Sequence, residues 1–188
     1  MQGKMILFWR RLDLTALERL ELEAGAGGIR ASSTLVSIEY SGFQLDYEWL
    51  LDGEWRTTSL EMHKYGKSGR QDVRMERAGG GWTVNGEVRS DLNGADEPDL
   101  SATPFCNTLP IRRLGAEVGA ELTLDTVYVD AADLSVVRSR QRYLRQSRDI
   151  IRYIDLGTAA GFEAELVVDA DGLVQEYRNL FERVHVTE

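Results

Sequence analysis

Cysteine is almost missing from this chain. Cys106 stands alone, so no internal disulfide can form, and a reducing compartment is the expectation. With only His63 and His185 beside it, nitrogen and sulfur ligands are too few for a zinc or transition-metal centre. No metal and no cofactor is expected. Basic residues are the minority, 22 against 31 acidic, for a formal charge of −9. Such a surface repels phosphate backbones and anionic bilayers, so nucleic acid is not an expected partner. Long apolar runs are lacking too. Met5–Trp9 ends at Arg10-Arg11, short of the roughly 7–15 residues of a secretory signal and of the about 18 of a membrane span. A cytoplasmic location without membrane insertion follows as the expectation. Proline is the last scarcity: Pro98, Pro104 and Pro110 are the only three, and they lie close together.

What is present is alternation. The 188 residues, 43% apolar and 28% charged, are expected to form one domain over residues 1–188. "FQLDYEWLL" places Phe43, Leu45, Tyr47, Trp49 and Leu51 on one strand face. Asp52-Gly53 follows as a tight-turn signal, and "EWRTTSLEMHKY" reads as the return strand. "ASSTLVSIEY" pairs with the Phe43 strand through Ser41-Gly42. "QDVRMERA", the Gly79–Gly81 turn, and "WTVNGEV" with Asn85-Gly86 continue a meander. "ELTLDTVYVD", "LSVVRSRQRY", "DIIRYIDL", "FEAELVVD" and "LVQEYRNLFERVHV" resume it, the last two joined at Asp171-Gly172. About ten strands and little amphipathic helix make an all-β, mainly antiparallel fold that rolls up to protect its edges.

Catalytic signatures are missing: there is no HExxH, GxSxG or GxxxxGK[ST]. "AGAGG" at 24–28 lacks the spacing of a phosphate loop and reads as a turn. "DADG" at 169–172 lacks the later ligands of a calcium loop. Cys106 beside Asn107 has no histidine placed to activate it. Asp96 and Glu97 read as solvated loop charges, and Asp99 is the less settled of the three. Arg138, Arg140, Arg142, Arg145, Arg148 and Arg152 concentrate positive charge in 15 residues of an acidic chain, and the first three share one strand face, with Val137, Ser139, Gln141 and Tyr143 on the other. They form either a row for binding anions or an outer face paired with acids such as Glu163 and Glu165, and the second is preferred. The tryptophans and tyrosines make either an ordinary β core or the lining of an apolar cavity.

One stretch, "DLSATPFCNTLPIRRLG" at 99–115, does not alternate. Its prolines bias the preceding residues toward extended backbone, so the expected helix is short. Thr108 would cap it, Pro110 would sit in its first turn, and Gly115 would follow its end. Arg112 and Arg113 would lie near its last carbonyls, where positive charge is favourable. Phe105, Leu109, Ile111 and Leu114 would face the sheet, making the insert a plug on one side of the roll.

The same stretch resembles the hallmark of the putative glycolipid-binding family, small bacterial proteins in which an acidic residue precedes "TPFTNTLPIRRL". Cys106 stands here where threonine is usual. Weaker similarity extends to Trp9, to "YEWLLDGEWRTTSLEM" with Arg56, to "QRY" at 141–143, and to "VVDADGLVQEY", where Arg178 replaces a frequent proline. The resemblance implies a spiral β-roll or half-barrel meander with a partly open apolar interior and one short helix in the 99–115 insert. It implies non-enzymatic binding of a lipid, glycolipid or similar amphiphile. The ligand-binding residues carried over are Asp99, Asn107, Thr108, Arg112 and Arg113, with Arg56 and Tyr143 as weaker candidates, and Thr103, Pro104 and Pro110 shape the motif. Asp99 would pair with Arg112 or Arg113, and Phe43, Tyr47 and Trp49 would line the acyl cavity. Two alternatives stand beside this reading: a hydrolase or isomerase using Asp99 with Arg112 or Arg113, and an interaction protein with a filled core. The oligomeric state is left open.

Overall fold

The apolar run at Met5–Trp9, weighed above only as a targeting segment, is the middle of strand β1 (Gly3–Arg11). That strand is the centre of the sheet. A computed structural model describes residues 3–187. From β1 the chain winds outward through β2 (Ala16–Gly25), β3 (Gly28–Ser37), β4 (Phe43–Leu51), β5 (Thr57–Gly66), β6 (Gly69–Ala78), β7 (Gly81–Val84) and β8 (Glu87–Val88). It then crosses to β9 (Glu97–Leu100), enters helix α1 (Phe105–Arg113), and continues through β10 (Glu121–Val129) and β11 (Val136–Arg145). The return is completed by β12 (Ile150–Asp155), β13 (Glu163–Val168), β14 (Val174–Tyr177) and β15 (Phe181–Thr187).

The result is one 15-stranded sheet in the order β8 to β1, then β15 back to β9. Every neighbouring pair is antiparallel except β9 and β10. The sheet curls until its two edges approach but does not close. In place of a hydrogen-bond ladder, side chains fasten the seam. Trp82 Nε1 donates to Ala95 O at 3.0 Å, and Glu97 accepts the Thr57 N–H at 3.0 Å. No helix among the described residues is long and apolar enough to cross a membrane.

The expected alternation of β4 holds: Phe43, Leu45, Tyr47, Trp49 and Leu51 all face inward. They do not line a cavity, however. Helix α1 lies inside the roll with Phe105 through Ile111 buried, and the Phe105 ring meets Trp49 edge-on at 5.6 Å. The plug expected on one side of the roll therefore fills the volume assigned to an acyl chain. Two apolar clusters result. One joins Trp9, Trp49, Met62 and Trp82 to Phe105 and Leu109, and the other joins Tyr143, Tyr153, Leu166 and Tyr177 to Ile111.

The helix begins earlier than the sequence grammar predicts. The Thr103 hydroxyl accepts the Phe105 N–H at 3.1 Å, so the start is fixed there, and Thr108 lies inside the helix instead of capping it. Pro110 then falls in the second turn, and burial of the whole segment overrides its local bias. Leu114 ends the helix in extended backbone, its N–H donating to Pro110 O at 2.9 Å.

The turns divide. Asn85-Gly86 has φ of 53° and 82°, as a type I′ turn requires, and "AGAGG" is the β2–β3 hairpin. Asp52-Gly53 forms no two-residue turn. The loop runs on to Arg56, with Asp52 N–H donating to Arg56 O at 2.9 Å and Asp52 Oδ1 accepting the N–H groups of Glu54 and Arg56. Trp55 takes φ +63° and tucks its ring inward.

Gly28 also has positive φ, +115°, and a Cβ there would lie 2.4 Å from Leu51 O. The obstacle is backbone in an adjacent strand, so Gly28→Ala is expected to destabilise by about 2 kcal/mol or more. A urea midpoint within error of the parent's would contradict this reading of the turn.

Candidate functional site

The structure distributes the predicted site residues among four environments. In the first, Asp99, Asn107 and Tyr143 belong to a buried hydrogen-bond chain. The Cys106 thiol donates to Asp99 Oδ1 at 3.2 Å, and Gln141 Nε2 donates to Asp99 Oδ2. Tyr143 donates to Gln141 Oε1 at 2.9 Å and accepts from Asn107 Nδ2 at 2.9 Å. Burial pushes the Asp99 carboxyl up to about 6, the nearby Asp155 adds to the rise, and the bonds from Cys106 and Gln141 oppose it. The expected pair between Asp99 and Arg112 or Arg113 is not formed. Both arginines leave the helix at its far end, while Asp99 contacts its first turn. The hydrolase or isomerase reading therefore loses the constellation it rested on. Burial and the Asp99 charge hold the Cys106 thiol well above the usual thiol range, so it stays protonated. A threonine hydroxyl at this position can donate in the same way.

In the second, Arg113 and Arg56 meet Asp96, not a ligand. Arg113 Nη1 lies 2.9 Å from Asp96 Oδ1, and Arg56 lies 4.0 Å from the same oxygen. Glu97, only 1% exposed, accepts Arg77 Nη2 at 3.2 Å and the Thr57 N–H. The solvated loop charges expected at Asp96 and Glu97 are instead the clasp that holds the sheet edges together. In the third, the Thr108 side chain is fully buried, its hydroxyl without a partner among the described residues.

In the fourth, Arg112 opens on a cleft. Its guanidinium lies over the Trp55 ring at 4.0 Å and donates to Asp171 O. Burial pulls its pKa below the ordinary arginine value, against the charges of Asp171 and Asp169. Beside it a cleft of about 640 Å³ opens between the end of α1, the β11–β12 turn and the β13–β14 turn. Ile111, Leu114 and Val168 supply its apolar surface, and Arg112, Arg145, Arg148, Asp149, Asp169 and Asp171 its polar one. Gly172 approaches the helix so closely that a Cβ there would meet Arg112 Cγ at 3.3 Å.

Arg145 and Arg148 belong to the arginine-rich stretch for which a paired outer face is the preferred reading, and they depart from it by lining the cleft. A signal for Arg145 exists in the parity of β11: Ser139, Gln141 and Tyr143 point inward, and two residues on so does Arg145. Of the arginines of opposite parity, Arg138 and Arg140 behave as the preferred reading has it, whereas Arg142 has no carboxylate within 4.0 Å among the described residues. Arg138 pairs with Asp125 at 2.6 Å, Arg152 on β12 pairs with Glu163, and Arg178, just past β14, pairs with Glu165. Among the described residues no group of three or more His, Cys, Asp or Glu side chains is placed to hold a metal ion.

Comparisons with known proteins agree with this architecture. A family model described as "Putative glycolipid-binding" matches residues 6–183. A DUF1089 family protein from Pseudomonas aeruginosa, solved by crystallography, is 33% identical, with a TM-score of 0.82 over 90% of this chain and 92% of that one. A β-barrel-like protein of unknown function, DUF1849, from Brucella abortus shares the fold at 11% identity, with a TM-score of 0.60 over 99% of this chain and 97% of that one. A search of curated proteins finds no match. The family model spans nearly the whole length of the chain and includes the 99–115 motif; the chain belongs to the putative glycolipid-binding family.

Proposed function

We propose that this protein binds, without chemical turnover, a lipid, glycolipid or similar amphiphile in the cleft beside Arg112. The observation that carries the reading is the cleft's two-sided lining. Ile111, Leu114 and Val168 meet an apolar segment, while arginine and aspartate side chains meet a polar one. Its volume lies within the range of small-molecule sites. Each methylene buried on the apolar side contributes about 0.8 kcal/mol, so a short length of chain suffices for binding. The family's printed description supports a glycolipid class of ligand, and sugar hydroxyls suit the mixed donors and acceptors. Of the residues first singled out, Arg112 keeps a contact role. Asp99, Asn107, Thr108 and Tyr143 hold α1 in place, and Arg56 and Arg113 hold the seam.

Native mass spectrometry of protein purified without detergent, followed by solvent extraction, tests the reading. A discrete adduct of lipid-like mass is expected, and Ala116→Trp, at an exposed position of the cleft wall, should abolish it. A clean apo mass, together with no uptake of either octyl glucoside or octyl phosphate in calorimetry, would sink the proposal. The filled interior supports a second reading, an interaction protein; a concentration-dependent dimer in light scattering would favour it.

A further inference from the structure

The arginines of this acidic chain are nearly all neutralised. Among the described residues, fifteen of the nineteen have a carboxylate oxygen within 4.0 Å. The exceptions are Arg112, Arg142, Arg145 and Arg148. Arg142 lies on the outer face of β11, and the other three line one cleft. With 31 acidic residues available, a cluster of unpaired guanidiniums in a single concavity calls for an explanation.

Arg145 is the most constrained of them. Its side chain is on the inner face, and the residue is only 8% exposed. Nε donates to Gly115 O at 2.8 Å and Nη1 to Arg148 O at 2.9 Å. These carbonyls fix the plane of the guanidinium but do not neutralise it, and Nη2 has no hydrogen-bond partner among the described residues. A buried cation without a counter-charge is costly, and an anionic ligand is the simplest group to complete it. The cleft's carboxylates do not fill that role. Asp169 accepts Arg183 at 2.7 Å and the backbone N–H groups of Asp171 and Leu173, Asp149 accepts the Ser147 hydroxyl at 2.7 Å, and the Asp171 charge acts on Arg112 without forming an ion pair with Arg145.

We propose that the cleft is an oxyanion site that takes the phosphate or carboxylate end of its ligand. Arg145 is the fixed donor at the base, and Arg112 and Arg148 close over the anion from the exposed side. The planar guanidinium presents paired donors that fit two oxygens of one anion. The chain's overall charge of −9 still opposes a polyanion, so the site selects a single small anionic group. The attached chain would run over Ile111, Leu114 and Val168; this part rests on the amphiphile reading, whereas the charge preference does not.

Calorimetric titration with three probes below their micelle thresholds separates the two ideas: octyl phosphate, octyl glucoside and inorganic phosphate. Octyl phosphate is expected to bind at least tenfold more tightly than octyl glucoside. Arg145→Gln and Arg148→Gln are each expected to reduce that preference to threefold or less. Should Arg145→Gln fail to fold by circular dichroism, the exposed Arg148→Gln decides alone. Equal affinity for the two octyl compounds overturns the oxyanion site and leaves the amphiphile reading standing. Inorganic phosphate binding as tightly as octyl phosphate keeps the oxyanion site and overturns the amphiphile reading. Failure of all three to bind overturns both.

Discussion

Phe105→Ala is expected to destabilise the protein by about 3–5 kcal/mol, seen as a fall in the urea midpoint with little change in slope. The ring is fully buried at the start of α1, packed edge-on against Trp49 in the larger apolar cluster. Its removal leaves a cavity bounded by sheet on one side and helix on the other, neither of which can collapse inward without breaking other contacts. The experiment also tests the architecture. In a hollow roll with a loosely seated plug, truncating a plug residue costs little, because solvent or a neighbouring side chain takes up the space. A loss below about 1 kcal/mol would therefore overturn the filled interior.

The elements legible in the sequence were those whose alternation agreed with burial. β4 is the clearest, since all five of its inward residues are apolar or aromatic. β2 was not recognised because its inward face runs Ala16, Glu18, Leu20, Leu22 while Leu17 points outward. One buried acid and one exposed leucine are enough to erase a period-2 signal. β1 presents a continuous apolar run, which has no readable face in the sequence, although in the sheet Leu7 and Trp9 are buried while Ile6 and Phe8 are only partly so.

The candidate site was legible only in part, for a different reason. The motif marked α1, and its arginine pair marked the helix end, so Arg112 was found. Spacing does not reveal that Arg112 meets Trp55 across the sheet, that Arg113 meets Asp96, or that Asp99 faces Gln141. Those partners are set by the curl of the sheet. In this chain the motif segment thus does two kinds of work: a buried core anchors the helix and an exposed end opens on the cleft.

The protein is expected to be less stable at pH 7.5 than at pH 5, and two buried carboxyls supply the reason. Asp99 faces Cys106, Gln141, Tyr143 and the Asp155 charge. Glu18 accepts the hydroxyls of Ser33 at 2.8 Å and Tyr47 at 2.7 Å on Oε1, and its Oε2 is buried without a partner among the described residues. Neither has a lysine or arginine among the groups acting on it, and burial pushes each up to about 6. Their ordinary values lie near 4, so between pH 4 and 6 the folded state holds protons that the unfolded chain has released. That difference stabilises the fold at low pH and is lost as pH rises through 6. The carboxyls whose pKa is lowered by ion pairs and local hydrogen bonds, such as Asp72, Asp91 and Asp133, are already ionised in both states by pH 5 and add no slope in this window.

Across pH 5 to 7.5 the two groups together are expected to cost about 2–3 kcal/mol, roughly 5–10 °C in Tm for a chain of this length. Asp99→Asn, which removes one of the two titrations, should reduce the drop by about half. A Tm that stays level or climbs over the same interval would show that both carboxyls are ionised inside the folded roll, and that a cation or solvent reaches them. The direction matters for the cleft as well. The Asp99 chain anchors the first turn of α1 and Arg112 sits in its last, so loosening the anchor at higher pH should reach the arginine rim through the helix itself.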